Sequence, residues 1–525
     1  MTRWGMVIDL NRCVGCQTCV AACKHENATP PGVQWCTVLD VELGTFPDVQ
    51  RLFMVTGCQH CEEPSCVPVC PTGATKRRFD GIVTMDYDRC IGCAACVVAC
   101  PYQARDIVHE RESYYRGKRT APKIAAAHDE RLGVANKCNF CVDRLDAGLA
   151  AGLTPGVDLA ATPACAASCI ASAIHFGDYA DEQSNVSRMI TDNQNFQVHE
   201  ELGTDPQIRY LYDLPTTPGR HSELSDAEAV AAPLAGKQQT YWDYKGAINF
   251  VCGGLASGFA VMAFLLEANR PKTSLSILFL VAAVIMAVGL GSLLFKIGRP
   301  TRALLAALQP GTSWMSRELW VAATFFPLVA LGLVLPDLWV HDALGVVAAL
   351  FLICQARILY ASKGIPAWRA PLIPWMLVMT GLFEGIALYA IVELVAPKLA
   401  AGSPMLLLLG IALAITNAIL WHRYRVSAAD RGIGQAARSA IAKITPWLHL
   451  VCHALPIALF GVALFVSIDN ARILAGVGSV AVIAGGAGWK FWVILRAGHQ
   501  QGFALPKMPQ RGSGGYAAPP RLKVA

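Results

Sequence analysis

The segment from Cys58 to Pro101 leaves this chain the least freedom. It runs Cys58-Gln-His-Cys61-Glu-Glu-Pro-Ser-Cys66-Val-Pro-Val-Cys70-Pro and, after a short insert, Cys90-Ile-Gly-Cys93-Ala-Ala-Cys96-Val-Val-Ala-Cys100-Pro. Three closely spaced thiolates followed by a fourth form the ligand pattern of paired 4Fe–4S cubes: three hold one cube and the fourth reaches its neighbour. The first run has four residues rather than two between its second and third cysteines, which lengthens a loop without changing the ligand count. Two such runs make one two-cluster module.

A second module is assembled from more distant pieces. Cys13-Val-Gly-Cys16-Gln-Thr-Cys19-Val-Ala-Ala-Cys23 is another three-plus-one run, and its complement lies in Cys138-Asn-Phe-Cys141 and Cys165-Ala-Ala-Ser-Cys169. Taken alone, Cys138 and Cys141 also suit a tetrahedral zinc, but Cys23 needs a second cube to bind, and these four residues complete it. Because the last cysteine of each run crosses to the other cube, the expected sets are Cys13, Cys16, Cys19 with Cys169; Cys138, Cys141, Cys165 with Cys23; Cys58, Cys61, Cys66 with Cys100; and Cys90, Cys93, Cys96 with Cys70. Cys36, Cys252, Cys354 and Cys452 are left over. A disulfide scaffold is excluded, since that reading belongs to short chains whose cysteines lack ligand spacing. His60 reads as a packing neighbour that tunes a cluster by a hydrogen bond, rather than as a proton carrier or ligand.

Four cysteine groups in this order resemble the iron–sulfur subunit of the dimethyl-sulfoxide-reductase type, whose relatives serve polysulfide, nitrate and formate complexes. The resemblance implies a wire of four 4Fe–4S clusters, one end docked on a large molybdopterin-containing catalytic subunit and the central module, Cys58 to Cys100, nearest the membrane. Some relatives replace the second cysteine of the third group and hold a 3Fe–4S cluster there; this chain keeps Cys93. The basic insertion from His109 to Ala135, with Arg111, Arg116, Lys118 and Arg119, is a solvated loop or a docking surface for that partner.

Composition bears on the remainder. A hydrophobic content of 54% with 16% charged residues over 525 positions is too apolar for an ordinary soluble enzyme. The net charge of +6 is small, and no basic run interleaves with aromatics as a nucleic-acid groove requires, so nucleic acid is discounted. The start of the chain lacks the features of a signal peptide. Beyond Lys245 there are eight apolar segments, at about 247–267, 273–295, 318–336, 343–361, 372–394, 404–422, 445–466 and 472–495. Each is near the roughly 20 residues needed to cross a bilayer. An even number puts the cysteine-rich domain and the C-terminal tail on one side. Loops on that side carry Lys296, Arg299, Arg302, Arg317, Lys363, Arg369, Arg423, Arg425, Arg431, Arg438 and Lys443, against Arg270, Lys272, Lys398 and Arg472 opposite. The positive-inside rule then makes that domain cytoplasmic, on a multi-pass protein of the bacterial inner membrane.

Between the second and third segments lie Lys296-Ile-Gly-Arg299-Pro300 and Ser313-Trp314-Met315-Ser316-Arg317-Glu318. These resemble the Gly-x-Pro and Ser-x-Glu region of the eight-span anchors that accompany such iron–sulfur subunits, where quinol is oxidised or quinone reduced. In that site Glu318 carries a proton, Trp314 flanks the ring and Arg299 orients a carbonyl, while Lys296 stands where the family often has histidine. Inside the spans, Glu384, His449 and His453 read as interhelical hydrogen bonds or a water-lined proton path. His449 and His453 lie one turn apart and cannot take opposite faces of one haem; with His422 the sole cross-helix partner, haem is disfavoured. Cys252, Cys354 and Cys452 read as packing residues.

The expected architecture is an α+β ferredoxin-like double module over 1–185, a polar linker over 186–245, an all-α eight-helix transmembrane bundle over 246–498 and a flexible tail over 499–525. The resemblance implies electron transfer between a molybdopterin catalytic subunit and the membrane quinone pool through four clusters. The orientation suits cytoplasmic substrates, as in sulfite-oxidising and phenylacetyl-CoA:acceptor complexes. A quinone-coupled ion-translocating redox protein is the alternative, and a redox assembly scaffold a third reading.

Overall fold

The computed structural model describes residues 2–45, 48–110, 118, 120–121, 124, 128–212, 236–266, 272–335, 338–400 and 404–503. The chain forms two compact units, Met1–Lys237 with Gln501–Ala525, and Gln238–Gln500.

The first unit is small and ferredoxin-like. Strand β1 (Trp4–Asp9) is buried along its whole length, which its run of apolar residues permits. A long antiparallel hairpin follows, β2 (Cys36–Thr45) with β3 (Asp48–Gly57), then a short one, β4 (Thr75–Arg77) with β5 (Val83–Met85). Strand β6 (Asp106–Ile107) pairs with β7 (Ala135–Asn136). The main sheet is completed by β8 (Ile174–Asp178), β9 (Asn195–Phe196) and β10 (Ile208–Leu211), in the order β8-β1-β10-β9, with β1 and β10 parallel. Its apolar face, including Trp4, Met6, Ile8, Phe176 and Tyr210, packs in one core with Phe140 and several of the cysteines.

Residues 186–211 are not a linker. The helix Asn185–Asp192 lays Val186 and Met189 over Val7 and Leu211, and β10 is an interior strand of the sheet. Ile208-Arg-Tyr-Leu211 is too short to stand out from its polar surroundings, and its strand pairing comes from β1, about 200 residues away. The start of the 499–525 tail is also ordered: Gln103 Nε2 donates to the Gln501 carbonyl at 2.9 Å, and Phe503 is buried. Residues 213–235 of the linker, residues 111–117, 119, 122–123 and 125–127 of the insertion and the tail from 504 lie outside the described residues.

In the second unit eight helices are long and apolar enough to cross a membrane: Tyr244–Leu266, Thr273–Leu294, Trp314–Val334, Trp339–Tyr360, Ile373–Val395, Pro404–Val426, Gln435–Ala463 and Ile468–Leu495. The third span begins at Trp314, so Glu318 is one turn inside it. The seventh begins at Gln435 and changes to a π-helix over His449–Ala454, between Pro446 and Pro456. Prolines remove backbone donors on either side of that segment, a local cause for the change in winding. The first and fifth spans touch backbone to backbone. A Cβ on Gly258 would lie 1.8 Å from the Gly381 carbonyl oxygen, and one on Gly385 would lie 2.2 Å from the Gly258 carbonyl carbon. Gly254 and Gly258, like Gly381 and Gly385, are spaced four apart, the pattern that lets helices approach this closely in lipid.

That approach leaves room for a buried ion pair. Lys490 Nζ of the eighth span lies 2.6 Å from Glu384 Oε2 of the fifth, the side chains 0% and 1% exposed. A Cβ on Gly254 would come within 2.6 Å of Lys490 Nζ, and one on Gly486 within 2.2 Å of Glu384 Oε1. Glu384 therefore has a cationic partner that its sequence context does not reveal. Replacing Lys490 with Met strands a carboxylate in the bundle, at an expected cost of about 3–5 kcal/mol. Thermal unfolding in detergent should show a large loss for Lys490→Met and for Glu384→Gln, mostly recovered in Glu384→Gln/Lys490→Met. A double variant as unstable as the sum of the singles would show that the pair is not the cause.

Candidate functional site

The cysteine loops repeat one backbone path. In Cys13–Cys19 the residues Gly15 and Gln17 have φ of 69° and 63°, and in Cys90–Cys96 the residues Gly92 and Ala94 have φ of 70° and 64°. The left-handed glycine turns the chain back, and a short helix begins directly after the second left-handed residue, at Thr18 and at Ala95. Alternation of this kind aims successive amide N–H groups into a concavity suited to an anionic cluster.

The cysteines gather in four places. Site 1 is a hollow of about 320 Å³ lined by Cys13, Cys16, Cys19 and Cys169, with Val38, Val55 and Ile174 as apolar wall. Site 4 is a hollow of about 290 Å³ lined by Cys70, Cys90, Cys93 and Cys96, with Met85 and Ile91. In site 2, Cys165 interacts with Cys23, Cys138 and Cys141. In site 3, Cys61 interacts with Cys58, Cys66 and Cys100. Among the described residues no three His, Cys, Asp or Glu converge to hold a single metal ion. At sites 1 and 4 the four thiols line a hollow, the arrangement that the corners of a cube require. Burial pushes the Cys23 and Cys100 thiols up to about 12, so a bound cation must supply the charge that makes them thiolates.

The sites follow one another in a row. Cys165 and Cys23 of site 2 interact with Cys19 of site 1, and Cys138 of site 2 with Cys58 of site 3. Sites 3 and 4 meet around Arg105, which interacts with Cys66 and Cys96. His60 lies in the second of these junctions, stacked on Phe140 with ring centroids 3.7 Å apart, and its Nδ1 accepts the Val83 amide at 3.1 Å. It is fully buried, and burial with nearby Lys137 and Arg105 holds its pKa well below the ordinary range. With Nδ1 accepting, a neutral ring carries its proton on Nε2, which has no hydrogen-bond partner among the described residues. Asn27 Nδ2 donates to Cys141 Sγ at 3.5 Å. Cys36, left over by the spacing, is buried beside Cys19.

In the membrane unit, Glu318 is 3% exposed and its carboxyl faces the amides of Gln355 of the fourth span and Asn249 of the first. Gln355 also donates from Nε2 to the Asn249 carbonyl at 3.0 Å. Glu318 Oε1 and Asn249 Oδ1 are buried with no hydrogen-bond partner among the described residues. Trp314 lies one turn before Glu318, under the Arg317 guanidinium at 4.2 Å and that of Arg357 at 5.8 Å. Arg317 is fixed by the carbonyls of Pro310 and Gly311, each at 2.7 Å. Lys296 Nζ sits over the Trp242 ring at 5.1 Å and near Gly246, one turn from Asn249 on the first span. Arg299 precedes the 3-10 helix Pro300–Ala307. Asn249, Gln355 and Arg357 carry no sequence signal of their own: amides are unremarkable in a span, and a terminal arginine reads as an anchor. His449 and His453 face each other, Nδ1 to Nδ1 at 3.2 Å, within the π-helical segment.

Comparison with known proteins bears on both units. Residues 4–25 match a 4Fe-4S binding domain, residues 49–116 a 4Fe-4S dicluster domain, and residues 247–487 the DMSO reductase anchor subunit (DmsC). Over 223 residues the chain is 39% identical to a selenate reductase subunit from Mesobacillus selenatarsenatis, covering 40% of this chain and 72% of that one. The chain belongs to the dimethyl-sulfoxide-reductase family of iron–sulfur subunits. It is 38% identical over 228 residues to a sulfite dehydrogenase subunit from Allochromatium vinosum, covering 40% of this chain and 83% of that one. It is 36% identical over 236 residues to the arsenate respiratory reductase iron–sulfur subunit of a Shewanella species, covering 40% and 96%. The two 4Fe-4S models match within the cysteine-rich unit, and the anchor model matches within the helical one. The chain is an iron–sulfur electron-transfer subunit of this family fused to its own membrane anchor.

Proposed function

We propose that this chain carries electrons between a molybdopterin-containing catalytic subunit and the membrane quinone pool, through 4Fe–4S clusters at sites 1 to 4 and a quinone site at Glu318. The observation that carries the reading is the unbroken succession of four cysteine sets, each of four thiols, within one unit. The clusters supply reversible one-electron steps when bound, and the protein's part is to fix their order and exclude water. The named relatives serve selenate, sulfite and arsenate enzymes, so the substrate belongs to the catalytic partner.

Quinone reduction takes two electrons and two protons, so its site needs a group that can change protonation near the membrane boundary. Glu318 suits this role better than Glu384. Glu384 is tied to a lysine, whereas Glu318 faces two neutral amides and keeps one oxygen without a hydrogen-bond partner among the described residues. Trp314 supplies the flat wall, and Lys296 and Arg299 lie in the segment leading to it. The second reading, ion translocation coupled to quinone chemistry, has the buried Glu384–Lys490 pair in its favour; its mark is a membrane potential generated by turnover.

The loop charges support a cluster unit and a C-terminus in the cytoplasm of a bacterial cell. A reporter fused after Ala525 should therefore be active as a cytoplasmic fluorescent protein and inactive as alkaline phosphatase; phosphatase activity would reverse the orientation. Replacing Glu318 with Gln keeps the shape and removes the titrating proton. Quinone-linked activity of the complex should fall by roughly 10²-fold or more, the range for a lost proton-transfer group. Oxidation or reduction of a soluble dye by the same preparation should be unchanged. Near-normal quinone turnover in an intact Glu318→Gln complex would move the site elsewhere, with His449 next to be tested.

A further inference from the structure

Arg105 lies between sites 3 and 4 and is 2% exposed. Its Nη2 donates to Cys66 Sγ at 3.0 Å, and its Nη1 donates to Thr75 Oγ1 at 3.2 Å and Met85 Sδ at 3.1 Å. Thr75 and Met85 are register partners across β4 and β5. The short hairpin thus acts as a bracket: it grips one arm of the guanidinium so that the other meets a ligand sulfur. The thiols that interact with Arg105 include Cys66, Cys58 and Cys100 of site 3 and Cys96 and Cys90 of site 4, and of these the hydrogen bond is to Cys66. Among the described residues no carboxylate pairs with Arg105. A buried guanidinium is always charged and is costly unless an anion compensates it. Among those residues the compensating groups at this position are cysteine sulfurs and whatever they bind.

We propose that Arg105 is a positioning residue for electron transfer, raising the reduction potential of the cluster at site 3 through its hydrogen bond to Cys66 and, to a lesser degree, that of the cluster at site 4 through its charge. The inference rests on the cluster reading given under Proposed function. Reduction adds one negative charge to a cluster, and hydrogen bonds to its sulfurs and the surrounding charge set its potential. A fixed cation bonded to Cys66 therefore favours the reduced form at site 3 most. Sites 1 and 2 lie further along the row, and the side-chain donor on the site 2 sulfurs Cys23 and Cys141 is the neutral Asn27 amide.

The test is an anaerobic redox titration of the full chain followed by EPR, in wild type, Arg105→Gln and Arg105→Lys, after iron content has been measured. Signals are assigned by the single-cysteine variants that remove them. In Arg105→Gln the one-electron equilibrium at site 3 should shift at least tenfold toward the oxidised form, ~59 mV per tenfold for one electron. Site 4 should shift less, and sites 1 and 2 should not move. Arg105→Lys keeps the charge and loses the forked geometry, so its site 3 should fall between wild type and Arg105→Gln. Unchanged potentials in either fully loaded variant, or an equal shift at all four sites, would overturn the inference. Should Arg105→Gln fail to retain iron, the fall at site 3 in Arg105→Lys decides on the same terms. Wild type that holds no 4Fe–4S signals would instead reject the cluster reading itself.

Discussion

The crossing of Cys23 and Cys169 is the constraint on which the first unit depends. Cys169 joins Cys13, Cys16 and Cys19, while Cys23 joins Cys138, Cys141 and Cys165. The sheet prepares this exchange. Ile8 of β1 is in register with Ile174 of β8, and the Asp9 amide donates to the Ala173 carbonyl at 2.8 Å. Cys13 lies four residues beyond Asp9 and Cys169 four residues before Ala173, so pairing of the two strands delivers both cysteines to one hollow. A unit with so few strands has a limited core, and ligands drawn from opposite ends of the sequence close it as staples would. Sites 3 and 4 sit inside the long loop that this crossing closes.

How much of this was legible in the sequence depends on whether the signal is local. 4Fe–4S binding could be read because cluster ligands recur at fixed short spacings, and the eight spans because a bilayer demands about 20 apolar residues in succession. Strand β10 could not be read, because four residues acquire their role only by pairing with β1. Lys490 was hidden in the same way: one lysine near the end of an apolar helix looks like an anchor until Glu384 is found beside it. Asn249 and Gln355 are ordinary residues made significant by the Glu318 carboxyl between them.

Buried cations recur in both units, each with a different compensation. In the bundle Lys490 has a carboxylate. In the first unit Lys137 is almost fully buried and donates to the carbonyls of Val83 and Cys138. Arg105 has a ligand sulfur, a hydroxyl and a thioether. Buried charge of this kind contributes little net stability by itself. Its effect is to fix geometry and, next to redox groups, to bias the local potential.

Four complete cubes, one per cysteine set, leave a distinct mark in Mössbauer spectroscopy of the full chain grown on 57Fe and purified anaerobically. About sixteen iron atoms per chain are expected, by four irons per cube, with an oxidised spectrum made up of 4Fe–4S components alone. Twelve or fewer iron atoms in fully loaded protein, or a 3Fe–4S component that persists under strict anaerobiosis, would contradict the reading of four cubes.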